Sequence, residues 1–229
     1  VAPRITANGG VNINAKTSRI LTGNSYAGTV GGIAAVSADV VIFKDVSRTK
    51  AFAQNQAMTV NGLTQVKAEM TRNVNLRGYG AAISFGGLGA GASVTTATLG
   101  GTVDASIIGS NITGTSGTGI IKVEASSNDK ADTKAVAASG GAGAALSGAG
   151  SVSTISTAVD AKIHSSVVTA SHAVEVLATA NADADSNAVG VAIAGGLAVA
   201  GSVADSTVTT TAKASILAGS TITAGSLKV

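Results

Sequence analysis

Residues Ala188–Ala204 read AVGVAIAGGLAVAGSVA and carry no charge. The larger apolar side chains, Val189, Val191, Ile193, Leu197, Val199 and Val203, all stand at odd positions. The even positions hold only Ala, Gly and Ser. An apolar period of two is that of extended chain, with one bulky face and one nearly smooth face. A strand with two non-polar faces is expected to be covered on both sides, as inside a layered or solenoidal stack. Gly195-Gly196 marks a bend, a bulge or a close backbone approach.

Weaker versions of this stretch lie around Gly140-Gly141, Gly86-Gly87 and Gly31-Gly32, so the pairs recur every 54 or 55 residues. Other landmarks keep similar steps. One is a short strand at Lys50-Ala51, Asp104–Ile107, Asp160–Ile163 and Lys213–Ile216. Another is an apolar-threonine element at Ser110–Thr113, Ser166–Thr169 and Ser220–Thr223. The third is an alternating strand at Val66–Ala68, Val123–Ala125 and Val176–Ala178, matched early in the chain by Val11–Ala15. Laid over one another, these give units of 1–48, 49–102, 103–157 and 158–210, with a partial unit at 211–229.

The composition agrees with a stack of thin layers. Among 229 residues, aromatics are 2%, so the core has to be built from Val, Ile, Leu and Ala rather than from rings. Glycine numbers 30, Pro3 is the one proline, and no 3.6-residue apolar stripe persists, which leaves almost no helix. A fixed-period repeat whose units cannot bury their own faces is the signature of a solenoid. The expected fold is all-β: a parallel β-solenoid, or β-helix, built from about four repeats, forming one segment over 1–229. At about 54 residues, each repeat is expected to make two or three coils. A propeller with one blade per unit fits less well, because blade aromatics are missing.

The elements Gly195–Val203, Asp205–Val208, Ala212–Ile216 and Ser220–Val229 resemble those of a known group. They are similar to the giant β-helical exoproteins of Gram-negative bacteria, the filamentous-haemagglutinin-like and leukotoxin-type filamentous adhesins. The resemblance implies a right-handed parallel β-solenoid that is part of a long fibre, secreted or at the bacterial cell surface. The expected partners are further copies or coils of the same protein in a fibre, with a host or glycan surface as the alternative. The secretion domain of such proteins is not recognisable here. The opening VAPRITANGG lacks a Met, a basic region and an apolar leader, and the repeat phase puts both ends inside a unit, as in a piece of a longer chain.

The search for chemistry returns little. Zero cysteine removes disulfides and thiolate sites. Net charge is +3 without a clustered Lys/Arg run, which argues against nucleic acid. Mean hydropathy is +0.41, yet Ala188–Ala204 is too short and too strictly alternating for a transmembrane helix, so no transmembrane segment is expected. His164 and His172 lack a third metal ligand at suitable spacing. Asp183 and Asp185 resemble the first half of a calcium loop, but Ala188 and Ala194 stand where its glycine and its bidentate glutamate belong. They are a weak calcium candidate, and no other cofactor is expected. Asp104 and Asp160 recur in one slot with Lys50 and Lys213, which reads as a neutralising ladder rather than a catalytic pair. No enzyme activity is expected. The candidate packing residues are Gly86, Gly87, Gly140, Gly141, Gly195, Gly196, Ala198 and Ala200, on a smooth face that requires a packing partner: the facing sheet, a second solenoid or a neighbouring subunit.

Overall fold

The computed structural model describes residues 3–115 and 119–229 and contains only strands and turns among them. The first coil holds β1 (Arg4–Ala7), β2 (Val11–Gly31) and β3 (Ala34–Gln54). The second holds β4 (Ala57–Val60), β5 (Thr64–Ser84) and β6 (Leu88–Ile108), and the third holds β7 (Asn111–Gly114), β8 (Ile120–Gly141) and β9 (Ala144–His164). The fourth comprises β10 (Val167–Ala170), β11 (Ala173–Ala194), β12 (Leu197–Val208) and β13 (Thr211–Ile216). A fifth coil starts with β14 (Thr221–Thr223) and β15 (Ser226–Lys228). The small-residue turn before β8 lies partly at 116–118, outside the described residues, as do residues 1 and 2.

Each coil lays its strands on those of the coil before, all parallel, which makes the chain a β-solenoid. The short strands form sheet A, in the order β1-β4-β7-β10-β14. The first long strands form sheet B, in the order β2-β5-β8-β11-β15. The second long strands form sheet C, in the order β3-β6-β9-β12, with β13 continuing on β9. Stacked partners are 53 to 57 residues apart, as Val11 on Thr64 and Thr64 on Ile121 show. One repeat is therefore one coil, not the two or three expected. The reason is strand length. Runs of 21 residues extend for about 70 Å at ~3.3 Å per residue, so two of them and a short strand use up the whole repeat.

The interior tapers. At the base, where three sheets meet, it holds Met58, Val66, Ile107, Ile112, Ile121, Ile163 and Val168, all 2% exposed or less. Burying one such side chain contributes about 1.5–3 kcal/mol, so this end carries most of the apolar stabilisation. Further along, Val74, Leu76, Leu99 and Ile155 fill a thinner space, and near the tip small residues such as Ala82, Ala135, Ala137, Ala145 and Ala149 remain between sheets B and C. There the two backbones almost touch. A Cβ placed on Gly80 would strike the Ala92 carbonyl, one on Gly91 the Ala138 carbonyl, and one on Gly190 would lie 2.7 Å from the Gly201 oxygen. Hydroxyls bond across the gap: Ser147 donates to the Ala137 carbonyl at 2.8 Å and Ser151 to the Thr133 carbonyl at 3.0 Å.

Gly195 and Gly196 are the bend that carries the chain from sheet B to sheet C, so the quoted stretch is two strands rather than one. Equivalent bends fall at 32–33, 85–87 and 142–143. Gly86 and Gly87 lie in their bend. Gly140 and Gly141 do not: they end β8, and Ala142-Gly143 make the turn. Lining up glycine pairs shifted that unit by two residues, because the hydrogen-bond register, not composition, sets the equivalence. Stacked bends need glycine for close approach. A Cβ on Gly195 would lie 2.7 Å from the Ala142 oxygen, and one on Gly196 would lie 2.5 Å from the Gly143 oxygen.

The tight interior makes a sharp contrast testable. Replacing Gly80 with Val should cost about 2–3 kcal/mol in urea unfolding, the price of overpacking against backbone. Replacing outward-facing Gly148, which has open space around its Cα, should stay within about 0.5 kcal/mol of the parent. Equal effects at the two positions would refute the tapered interior.

Candidate functional site

Along the blade-like half, parity decides which side chains meet solvent. In β8 and β9 the positions of Ala135, Ala137, Ala145 and Ala149 are buried, so their register partners Ala188, Gly190, Ala198 and Ser202 face the interior too. The smooth face is therefore the inside of the coil, and the partner it requires is the facing sheet of the same coil. Ala198 and Ala200 are exposed only because β12 belongs to the last full coil, with no strand stacked on its free edge. The bulky face, expected to be covered, is the outside. Ile193 is 71% exposed, Leu197 63% and Val203 69%. The taper is the cause: where the sheets nearly touch, no room remains inside for a branched side chain.

The outward positions stack into rows along the solenoid axis. On sheet C the row Val36-Ala90-Leu146-Val199 and the row Val40-Val94-Gly150-Val203 flank the row Ala38-Ala92-Gly148-Gly201. The Val36 row and the Ala38 row line a shallow apolar groove of about 390 Å³. On sheet B the corresponding surface is lined by Ala81, Ile83, Ala138, Val191 and Ile193, beside a Tyr26–Tyr79 stack with ring centroids 5.0 Å apart. The outer face of the base is polar and knitted by pairs of opposite charge on successive coils, such as Lys16 with Glu69 at 3.6 Å and Lys130 with Asp183 at 3.0 Å. A hydrogen bond from Lys67, with the charges of Lys67 and Lys16, holds the Glu69 carboxyl below the usual carboxylate range against the opposing effect of burial.

A buried charge belt separates the wide base from the thin blade. Arg72 is 1% exposed and grips Asp129 through Nε to Oδ1 at 2.8 Å and Nη2 to Oδ2 at 2.9 Å. Its Nη1 donates to the Gly100 carbonyl at 2.6 Å and its Nη2 to Thr157 Oγ1 at 2.7 Å, while Thr157 donates to Asp129 Oδ2 at 2.6 Å. Below it, Arg19 lies 3.4 Å from Asp45. The motif search missed this network. The signal was present: Arg72 shares the inward parity of Val66, Ala68, Met70 and Val74, and Asp129 that of Ile121, Val123 and Ala125.

The sequence candidates fall as follows. Asp104 and Asp160 stack in register, and Lys162 bridges them, with Nζ 2.9 Å and 2.8 Å from their Oδ2 atoms. A neutralising ladder is what forms, though its cation comes from the neighbouring row and not from Lys50 or Lys213. Burial acts to lower the Lys162 pKa, but the hydrogen bonds it donates to Asp160 and Asp104, with the charges of both carboxylates, outweigh it and raise the ammonium above its ordinary value. Asp183 and Asp185 both face outward from β11, with the Lys130 ammonium beside Asp183. No cluster of three or more His, Asp or Glu side chains suited to a metal forms among the described residues. His164 ends β9 and His172 precedes β11, at opposite ends of β10, and both are exposed. Among the described residues, no helix is long and apolar enough to cross a membrane. No protein-family model, curated protein or solved structure matches the chain.

Two predictions follow from the charges. Arg72→Ala, which strands a buried carboxylate, should cost about 3–5 kcal/mol in urea melts, and Arg72→Met with Asp129→Leu should recover most of that. For Lys162 the folded pKa is raised, so its contribution is complete below the ordinary lysine value and fades as pH rises through the folded one. Lys162→Met should be less stable at neutral pH by about 1 kcal/mol and should lack that alkaline loss. A parallel pH profile for parent and variant would contradict the ladder.

Proposed function

We propose that this chain is a structural, non-catalytic segment of an extracellular fibre or adhesin stalk on a bacterial surface. The observation that carries this reading is the coil itself. The first three coils share one three-strand plan, the fourth follows it with its last run broken into β12 and β13, and each bonds along its length to the next, so length is gained by adding coils. The largest buried polar network holds sheets together: Arg72, Asp129 and Thr157 bind one another and backbone, and Ser147 and Ser151 of β9 bond to β8. A stalk needs stiffness, and long parallel ladders with a charge belt through the middle supply it. The resemblance to filamentous adhesins supports the same reading and adds the surface location.

A second reading, a glycan- or host-surface-binding module, is favoured by one observation. The stacked Tyr26 and Tyr79 rings lie on an outer face beside the outward row Asn24-Arg77-Lys134-Asn187. Aromatic faces next to amides and guanidinium groups are the chemistry that sugars engage.

Immunogold labelling of unpermeabilised cells of the source organism, with antibody raised against this chain, tests the first reading. Gold along surface filaments is expected, and label appearing only after the cells are opened would overturn it. Binding to a glycan array that is lost in Tyr26→Ala and Tyr79→Ala would favour the second reading.

A further inference from the structure

The bulky outer face of sheet C has no partner within the coil. It spans the outward rows from Ala34 to Ile42 across four coils, about 30 Å by 19 Å for a strand rise of ~3.3 Å and a coil spacing of ~4.8 Å. Its core holds no charged side chain, and Asp205 stands at its border. Two such faces together would bury on the order of 1,200 Å², the lower bound for a specific, stable interface. The sheet B face is narrower, because the row containing Arg77 and Lys134 cuts into it.

We propose that this sheet C face packs against the same face of a second copy of the chain, with the two solenoid axes antiparallel. The inference rests on the fibre reading, for which it names a lateral partner. Two independent features set the geometry. The first is relief. When the axes are reversed, coil one lies over coil four and coil two over coil three. Leu88 then meets Ala144 of the second copy, Leu146 meets Ala90, Val94 meets Gly150 and Leu197 meets Ala34. In the two middle coils Leu88, Leu146 and Val94 each sit over a small residue within their rows, while at the outer coils Val36 meets Val199 and Val40 meets Val203.

The second feature is charge. The first coil carries six Lys and Arg side chains against Asp39 and Asp45. The fourth carries four carboxylates against Lys213. The first coil is net positive and the fourth net negative, and side-by-side copies of this segment attract only when their axes oppose.

Sedimentation velocity should show a concentration-dependent dimer for the parent chain. Val94→Lys and Leu146→Lys, both on the outside and expected to keep the parent circular dichroism spectrum, should each raise the dissociation constant at least tenfold. The chain has no cysteine, so single thiols report orientation cleanly. With a short bismaleimide, Ala38→Cys and Gly201→Cys should cross-link when mixed and not when alone. Ala38→Cys cross-linking to itself would overturn the antiparallel arrangement. A parent that stays monomeric, or lysine variants that dimerise like it, would overturn the interface. So would a monomer that floats with phosphatidylcholine vesicles, which would assign the face to lipid. Surface gold on unpaired single filaments would sink the pairing and leave the fibre reading intact. A dimer without surface label would do the reverse.

Discussion

The separation between sheets B and C governs the rest of this molecule. Near the bends the two backbones are held so close that glycine Cα atoms face carbonyl oxygens directly. That closeness follows from an interior of Gly, Ala and Ser, and it admits nothing larger. At the opposite end a third sheet props the coil open, and Met, Ile and Val fill the space. The wedge-shaped cross-section is therefore a map of side-chain volume along each long strand. It also determines the surface. Branched residues that alternate with Ala and Gly have no interior place at the thin end, so they face outward and create apolar faces that the polar base lacks.

The charge belt stands where the wide core gives way to the thin blade. A guanidinium with bidentate carboxylate contact and three further acceptors, Thr157 Oγ1 and the Gly100 and Asp45 carbonyls, has a partner for each of its five N–H groups, which is the condition under which a buried ion pair is tolerated. It contributes little net stability over apolar packing but penalises misregister heavily. A coil shifted by one residue would turn Arg72 outward and bury its neighbours, and a shift by two would part it from Asp129 and Thr157. In a stack of nearly interchangeable Ala, Val and Thr, such a pin is a physical reason for strands of 21 residues to keep a single alignment. The outer ladders at Lys162 and Glu69 act in the same direction with smaller effect, since they are partly solvated.

The sequence by itself determined a good deal. The period of two in Ala188–Ala204, the recurrence of the Ile112, Val168 and Ile222 element, and the pairing of Val66 with Val123 and Val176 all reflect local pattern, and all survive in the structure. Extended chain, parallel stacking and repeat length follow from alternation and spacing alone. The tertiary structure decided what alternation cannot express: which of two apolar faces is inside. A bulky and a smooth face are equivalent to a pattern of hydrophobicity, and burying the bulky one is the ordinary expectation. Here the smooth one is buried, because the bends at Gly86-Gly87 and Gly195-Gly196 bring two sheets together at a distance that only small residues fit. For the same reason one coil, not two or three, takes up the repeat. Where a 21-residue run turns is fixed by the contact between facing backbones, and that contact exists only once the chain has closed.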